Sequence, residues 1–410
     1  MNIGQRIRDA RTQQGMTQRE LAGSDFTREF ISQIESGRCQ PSLKTLTILA
    51  QRLGQTIQDF IPASGSENPI DVQALLSVVD QCLQANLLDA AILCAKEALR
   101  ACAMTETDGL TIAQAGFYLG RSHLALRDWI PACTLFERSL SEFARLGQKK
   151  WVIETHFYLG HATYGHQDYR RAVSHYESAC EFSADHKSYQ TIALRSWLYL
   201  GTSRFYIGAL AGSLEAFQQA ESLAQQLGDS HIRGEALLGL GWSLHVLGKT
   251  EEALEITNRT LQMKPTPSPS LRTGLQHNKG IYLADLGRWQ DAFVLWTACI
   301  KYYRQVGQTT EMASICGDIA LFWIHQREFD RAEASYEEAL DLLGENDAAL
   351  IRGHLYRGLG YLAHIRERCE RARELYEMSM GFFRLAGATG EIANTRAIMD
   401  GTHGLNLLLR

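Results

Sequence analysis

The sequence predicts an all-α chain, with a small five-helix domain at the N-terminus followed by an α-solenoid of about eight helical hairpins. Three observations carry this prediction. Alternation of β-branched and polar residues is scarce throughout, so the period-two pattern of half-buried strands is missing. Only seven prolines interrupt 410 residues. From about residue 70 onward, a pattern of small residues, rings and glycines returns about every 40 residues; a fixed period in this range marks stacked repeats.

The N-terminal part comes first. Residues 3–14, 17–22, 27–36, 43–53 and 56–61 form five short helical patterns joined by tight connections. Gly15, Gly37 and Gly54 follow the first, third and fourth, where glycine ends helices. In FTREFISQIESG, Phe26, Phe30, Ile31 and Ile34 fall on one helical face and Thr27, Arg28, Glu29, Ser32 and Gln33 on the other. Residues 1–61 hold eight Lys/Arg and six Asp/Glu, a balance of +2, while the remainder is net −7, giving the total of −5. The sign suits an anionic partner for the small N-terminal part only.

Pro62 and Pro69 bracket PASGSENP, a polar, turn-forming stretch that reads as a linker over 62–71. The repeats then run over 72–387, with 388–410 left as a capping helix. Anchored on the small residue near the start of each second helix, they fall at Ala91, Ala132, Ala172, Ser213, Ala253, Ala292, Ala332 and Ala372. Twelve residues earlier, glycine recurs as Gly120, Gly160, Gly201, Gly241, Gly280 and Gly360. Four residues later comes a ring: Phe136, Tyr176, Phe217, Trp296, Tyr336 and Tyr376. Small residues let two helices approach, and the ring fills the gap to the neighbouring pair. Gly147, Gly228, Gly307 and Gly387 lie 15 residues past an anchor, where a helix end is expected. Pro265, Pro267 and Pro269 in MKPTPSPSL interrupt helix and call for a longer loop.

Several function classes are disfavoured. No apolar run approaches the roughly 20 residues needed to cross a bilayer, and MNIGQRIRDARTQQG lacks the apolar stretch of a secretion signal. A cytoplasmic protein is expected, with no membrane partner. The nine cysteines show no CxxC pair or zinc spacing and read as small buried residues of a reducing compartment. His156, His161 and His166 are five apart, off a common helical face, so no metal site is expected. No nucleophile elbow, phosphate-binding loop or paired-carboxylate motif appears. No catalytic residue or cofactor is assigned, and an enzyme is not expected.

The stretches MTQRELA and TREFISQIESG, then PSLKTLTILAQRLG, resemble the helix-turn-helix domain of phage repressors and many bacterial regulators of the XRE type. The resemblance implies that the second of the paired helices enters the major groove of operator DNA. Arg28, Glu29, Ser32 and Gln33 then fall where base edges are met: arginine suits guanine, glutamine adenine and glutamate cytosine. Gln18 is expected to meet a phosphate at a helix start. Thr27 reads as an N-cap also near the backbone, and Arg38 and Lys44 as phosphate contacts. Arg11 and Glu35 match an internal ion pair of that family. One departure stands out. The turn GSDF between Ala22 and Thr27 is one residue short, with Asp25 where glycine is usual.

The 40-residue pattern resembles a lengthened tetratricopeptide repeat, in which the first helix of each hairpin lines a concave groove. Counted from the recurring glycine, the inward positions include Arg121, His161, Tyr164, Arg195, Phe205, Trp242, His245, His277, Arg357 and Tyr361, with Asn278 beside them. Phe117, Phe157, Thr202, Ile281 and His364 share that stripe. Rings interspersed with Arg, His and Asn suit an extended peptide. The short turn, the ESG ending and the following PS resemble PlcR-like members of the peptide-pheromone receptor (RRNPP) family. That resemblance implies a homodimeric transcription regulator controlled by a short signalling peptide, as in quorum sensing. Two alternatives stay open: repeats that bind a folded protein partner such as a response regulator, with DNA binding secondary, or repeats that only drive oligomerisation.

Overall fold

The computed structural model describes residues 3–23, 25–37, 39, 41, 43–55, 60, 71–104, 107–183, 187–344 and 348–400, with the backbone alone at 43, 44, 47 and 187. All regular structure among these residues is helical. Two compact units, Met1–His166 and Gln167–Arg410, each have their own cores. The division falls inside the third 40-residue period, and nothing in the sequence marks it.

The head of the first unit contains α1 (Ile3–Gln13), α2 (Gln18–Ala22), α3 (Arg28–Glu35) and α4 (Leu43–Arg52). The expected fifth helix, 56–61, lies outside the described residues except for Phe60, which is buried. Local chemistry sets the helix starts. Thr17 caps α2 in a reciprocal box, its hydroxyl accepting from Glu20 N at 3.2 Å while Glu20 Oε2 accepts from Thr17 N at 2.6 Å. Thr27 caps α3 by accepting from Phe30 N at 3.2 Å. Gly15, Gly37 and Gly54 all have positive φ, the left-handed ending that glycine adopts without strain. Ile7, Leu21, Ile31, Ile34, Leu46, Leu49 and Leu53 form the core, with Phe26 and Phe30 packed at its edge. Gly4 sits where α1 crosses α3: a Cβ there would lie 1.9 Å from the Ile34 carbonyl oxygen.

The remaining helices of the first unit are α5 (Val72–Gln84), α6 (Leu88–Met104), α7 (Gly109–Ala125), α8 (Trp129–Arg145) and α9 (Lys149–Gly165). The second unit holds α10 (Tyr169–Ser183), α11 (Gln190–Tyr206), α12 (Leu210–Leu227), α13 (Ser230–Val246), α14 (Thr250–Leu261), α15 (Pro269–Asp285), α16 (Trp289–Val306), α17 (Thr309–His325), α18 (Phe329–Asp341), α19 (Ala349–Ile365), α20 (Cys369–Leu385) and α21 (Thr389–Met399). Seven of the consecutive pairs from α5 to α20 are hairpins within one unit, as expected from the period, and the helices of the third repeat, α9 and α10, belong to different units. The proline loop falls between α14 and α15, with Ser268 capping α15 and Pro269 at its first turn, where its missing N–H costs nothing.

All the repeat rings are buried. Phe217 lies between glycines of two successive hairpins: an added Cβ would come within 2.8 Å of its ring at Gly201 and 2.4 Å at Gly239. Phe217 is thus bedded on its own hairpin and reaches the next, as stacking of units that cannot bury their faces alone requires. A second regularity escaped the sequence. Asn86, Arg127, Gln167, Gly208, Gly248, Gly287, Arg327 and Glu367 all have positive φ, and each precedes its anchor by five residues. Every hairpin turns through the same left-handed residue, and in five of the eight that residue is not glycine.

Candidate functional site

In the N-terminal domain, Thr27, Arg28, Glu29, Ser32 and Gln33 are exposed on α3, while Ile31, Ile34 and Glu35 are buried beneath them. The polar face is therefore accessible along the length of the helix. Two arginines from other helices fix its orientation. Arg11 of α1 grips Glu35 with both prongs, at 2.6 and 3.0 Å, and donates to the Met16 carbonyl oxygen at 2.7 Å. Burial raises the Glu35 carboxyl, but hydrogen bonds from Arg11 and Gln18 outweigh it and hold the group below the usual carboxylate range. Gln18 is part of this cluster: its Nε2 donates to Glu35 at 2.8 Å, so the side chain expected at a phosphate is engaged internally. Its backbone still opens α2.

The second arginine, Arg52, was missed in the sequence. It extends from the end of α4 to the C-terminal carbonyls of α2, donating to Leu21 O at 2.9 Å and also to Ala22 O, and it pairs with Asp25. Its guanidinium also lies 5.9 Å from the centre of the Phe26 ring. Gly23, with φ of +55°, leaves room for it: a Cβ would come within 2.7 Å of the guanidinium. Asp25 in the short turn is thus an anchor for a cation, and the turn is built around that cation. Of the phosphate candidates, Arg38 lies outside the described residues, and Lys44 is described by its backbone alone at the start of α4.

Two of the expected groove residues are corrected. His245 is fully buried, 3.2 Å from Thr250 Oγ1 and 3.7 Å from Asp285. Arg357 is 1% exposed and pairs with Glu391 of α21 at 2.5 Å and with His354 Nδ1 at 2.8 Å. Phe117, Phe157 and Ile281 are buried as well. Arg121 is spent on Asp80 at 2.7 Å and lies over the rings of Tyr118 and Tyr158. His277 pairs with Asp318 at 2.6 Å. His161 packs against Phe157 in a tilted pair, 4.5 Å between ring centroids. Tyr164, Phe205, Trp242, Asn278 and Tyr361 are half-buried, and Arg195, Thr202 and His364 range from exposed to half-buried.

Within the second unit a cavity of about 150 Å³ opens among α13, α15, α17, α18 and α19, lined by Trp242, Ile281, Leu321, Asp318, Tyr336 and His354 among others. Trp242 lines it directly, with His277 and Arg357 one contact behind Asp318 and His354. Counted from the recurring small residue, the cavity is lined at +1 by Trp242, Ile281 and Leu321, as expected, and at −2 by Asp318 and −6 by His354, where the sequence points mainly to −3 and +4. His245 at +4 and Arg357 at −3 turn into the contacts between helices in their own hairpins, whereas Tyr164 and Phe205 at +4 are half-buried and His364 at +4 is exposed. A wider cavity of about 720 Å³ in the first unit is lined by Leu99, Cys102, Ala113, Leu135, Arg138 and Glu142, and no sequence feature pointed to it. Among the described residues, no group of three or more His, Cys, Asp or Glu is arranged to hold a metal ion, and no helix is long and apolar enough to cross a membrane.

An N-terminal helix-turn-helix domain of the transcription-regulator type, joined to tetratricopeptide-like helical hairpins, is the class that these features define. The helix-turn-helix family model HTH_3 matches residues 7–60. The HTH-type transcriptional regulator DdrOP3 of Deinococcus deserti is 34% identical over 62 residues, covering 15% of this chain and 48% of that protein. The chain thus spans about half the length of this curated relative. Among solved structures, the Rap conjugation gene regulator of plasmid pLS20, in complex with the Phr* peptide, matches over 94% of this chain and 97% of its own (TM-score 0.53, 14% identity). Aspartyl phosphate phosphatase F from Bacillus subtilis matches over 93% of both chains (TM-score 0.52, 14% identity). These two likenesses are of fold.

Proposed function

We propose that the protein is a transcription regulator that reads operator DNA through α3 and is controlled by a short peptide held against the first helices of its repeats. The observation that carries the reading is the exposed row Arg28, Glu29, Ser32 and Gln33, standing on a helix clamped by Arg11–Glu35 and Arg52–Asp25. Four side chains able to hydrogen-bond base edges project from a rigid support, the arrangement direct readout requires. A homodimer would place two such helices on half-sites one helical turn apart, or a multiple of it. Peptide binding would then act by favouring one spacing of the two heads over another. The peptide-bound state of the pLS20 regulator, which shares the fold, supports the choice of ligand class.

The test is selection of bound duplexes from a random library by the full-length protein, followed by anisotropy titration of the selected duplex with and without pools of short peptides. An inverted repeat whose affinity changes with a particular peptide is expected. A selected duplex indifferent to every peptide pool would remove the peptide from the proposal, and failure to enrich any sequence would remove the operator.

A further inference from the structure

The cavity of about 720 Å³ in the first unit owes much of its room to a small residue, Cys102. Eleven residues past their anchors, Phe143, Tyr303 and Phe383 are buried rings. Phe143 shows what such a ring does. It meets Phe117 of its own hairpin at 6.3 Å and stacks on Trp151 of α9 at 5.3 Å between centroids, closing the step from one repeat to the next. In the first hairpin that position is Cys102. The space among α6, α7 and α8 stays open, with Leu99, Ile112 and Leu135 on its walls.

Two polar groups line this space uncommitted. Ser139 is 2% exposed and lies over Gly116, where an added Cβ would come 2.8 Å from the serine oxygen; its hydroxyl has no hydrogen-bond partner among the described residues. Arg138 lines the mouth, is exposed and forms no ion pair among the described residues. The acid on the same wall, Glu142, is held by both prongs of Arg145, at 2.5 and 3.0 Å, so its charge is already matched. One positive charge is left over at the edge of a hollow with apolar walls. A volume of this order suits a ligand of many atoms, and the walls favour a hydrocarbon body. A single guanidinium matches a single negative charge, which a planar carboxylate meets with two parallel hydrogen bonds.

We propose that this cavity binds an amphipathic carboxylate. Its hydrocarbon body lies against Leu99, Ile112 and Leu135 and its carboxylate on Arg138, with the Ser139 hydroxyl free to donate a further hydrogen bond. Two of the three helices around the cavity, α6 and α8, are second helices of their hairpins. The site therefore stands apart from the first-helix stripe assigned to the signalling peptide, and it does not depend on that reading. A free medium-chain acid and the C-terminus of a peptide ending in an aliphatic residue offer the same chemistry.

The experiment titrates octanoate, octanol and octylamine into the full-length protein by calorimetry, below the concentrations at which they aggregate. Octanoate should bind about tenfold tighter than octanol, the worth of a hydrogen-bonded charge at a partly exposed site, and octylamine more weakly than either. Arg138→Gln should bring octanoate to the level of octanol. Cys102→Phe puts a ring where the other hairpins have one and should weaken octanoate about tenfold or more. Octanol binding as tightly as octanoate, octylamine binding more tightly than either, no binding of octanoate, a preference for octanoate kept in Arg138→Gln, or undiminished binding in Cys102→Phe would each overturn the proposal. Because Arg138 is exposed, its variant decides the matter whatever Cys102→Phe does to folding. An acetylated tripeptide of two alanines and a C-terminal leucine separates the two sources. Tighter binding of this peptide than of octanoate assigns the site to a peptide C-terminus, and the reverse assigns it to a free acid.

Discussion

Arg52 and Asp25 form an ion pair that ties the end of α4 to the turn between α2 and α3. The same guanidinium donates to the last carbonyls of α2, so two kinds of interaction meet in one side chain and their magnitudes differ. An ion pair with one partner about half exposed contributes about 0.2–1 kcal/mol. Hydrogen bonds from a charged donor to helix-end carbonyls contribute about 1.5–3 kcal/mol. Arg52→Met should therefore destabilise the N-terminal domain clearly more than Asp25→Asn, as measured by denaturant unfolding followed from that domain. Equal losses would show that the carboxylate, not the carbonyls, is what holds Arg52.

The reading face supplies a second contrast. Arg28→Ala should relax base preference at one position per half-site and cost about 1–3 kcal/mol there. Lys44→Ala should weaken all sequences alike and flatten the salt dependence by about one phosphate contact. Anisotropy titrations at two salt concentrations, on selected and scrambled duplexes, distinguish the two.

Gly358 and Tyr336 predict stability changes that do not depend on any ligand. Gly358→Ala sets a methyl 2.2 Å from the Tyr336 hydroxyl oxygen, and overpacking of this kind costs about 1–3 kcal/mol. Tyr336→Phe removes a buried hydroxyl with no partner in the protein and should raise the melting temperature of the unliganded protein. In the double variant the Gly358→Ala penalty should shrink, because the clashing oxygen is gone. Calorimetric melting of the four proteins measures the coupling.

Acid should loosen the last hairpin. Burial and the neighbouring Arg357 push His354 down to about 4. Burial raises Glu391, but Arg357 and His354 outweigh it and hold that carboxyl below its ordinary range. Both groups are thus less protonated in the folded state than in the unfolded chain. Stability contributed by neutral His354 is complete above about pH 6.5 and is lost as pH falls towards 4; that from Glu391 is lost below its ordinary range. Hydrogen exchange of α19 to α21 should accelerate over that interval in the wild type, and the step between 6.5 and 4 should disappear in His354→Gln.

The hairpins were legible because they repeat. Anchors such as Ala132 and Ala372 and rings such as Phe136 and Tyr376 recur at fixed spacing, since identical packing problems admit few residues. The shared left-handed turn was not legible, because Arg127, Gln167 and Glu367 reveal their backbone conformation only in place. In the head, Thr27 and the Arg11–Glu35 pair could be read from pattern, whereas Arg52 meets Asp25 across 27 residues, with no periodicity to announce the contact. The groove suffered most. A helical stripe read a residue or so out of phase admits His245 and Arg357, which are buried, and omits Asp318 and His354, which line the cavity. Spacing fixes which residues share a face, but the tilt between neighbouring helices decides which edge of that face stays open.

The central claim is that α3 reads bases, and the most direct measurement is selection from a random duplex library with the full-length wild-type protein and with Gln33→Ala. The wild type should enrich an inverted repeat, and the variant should enrich the same repeat with preference lost at one position in each half-site. An identical consensus from both proteins, or none from the wild type, would contradict it.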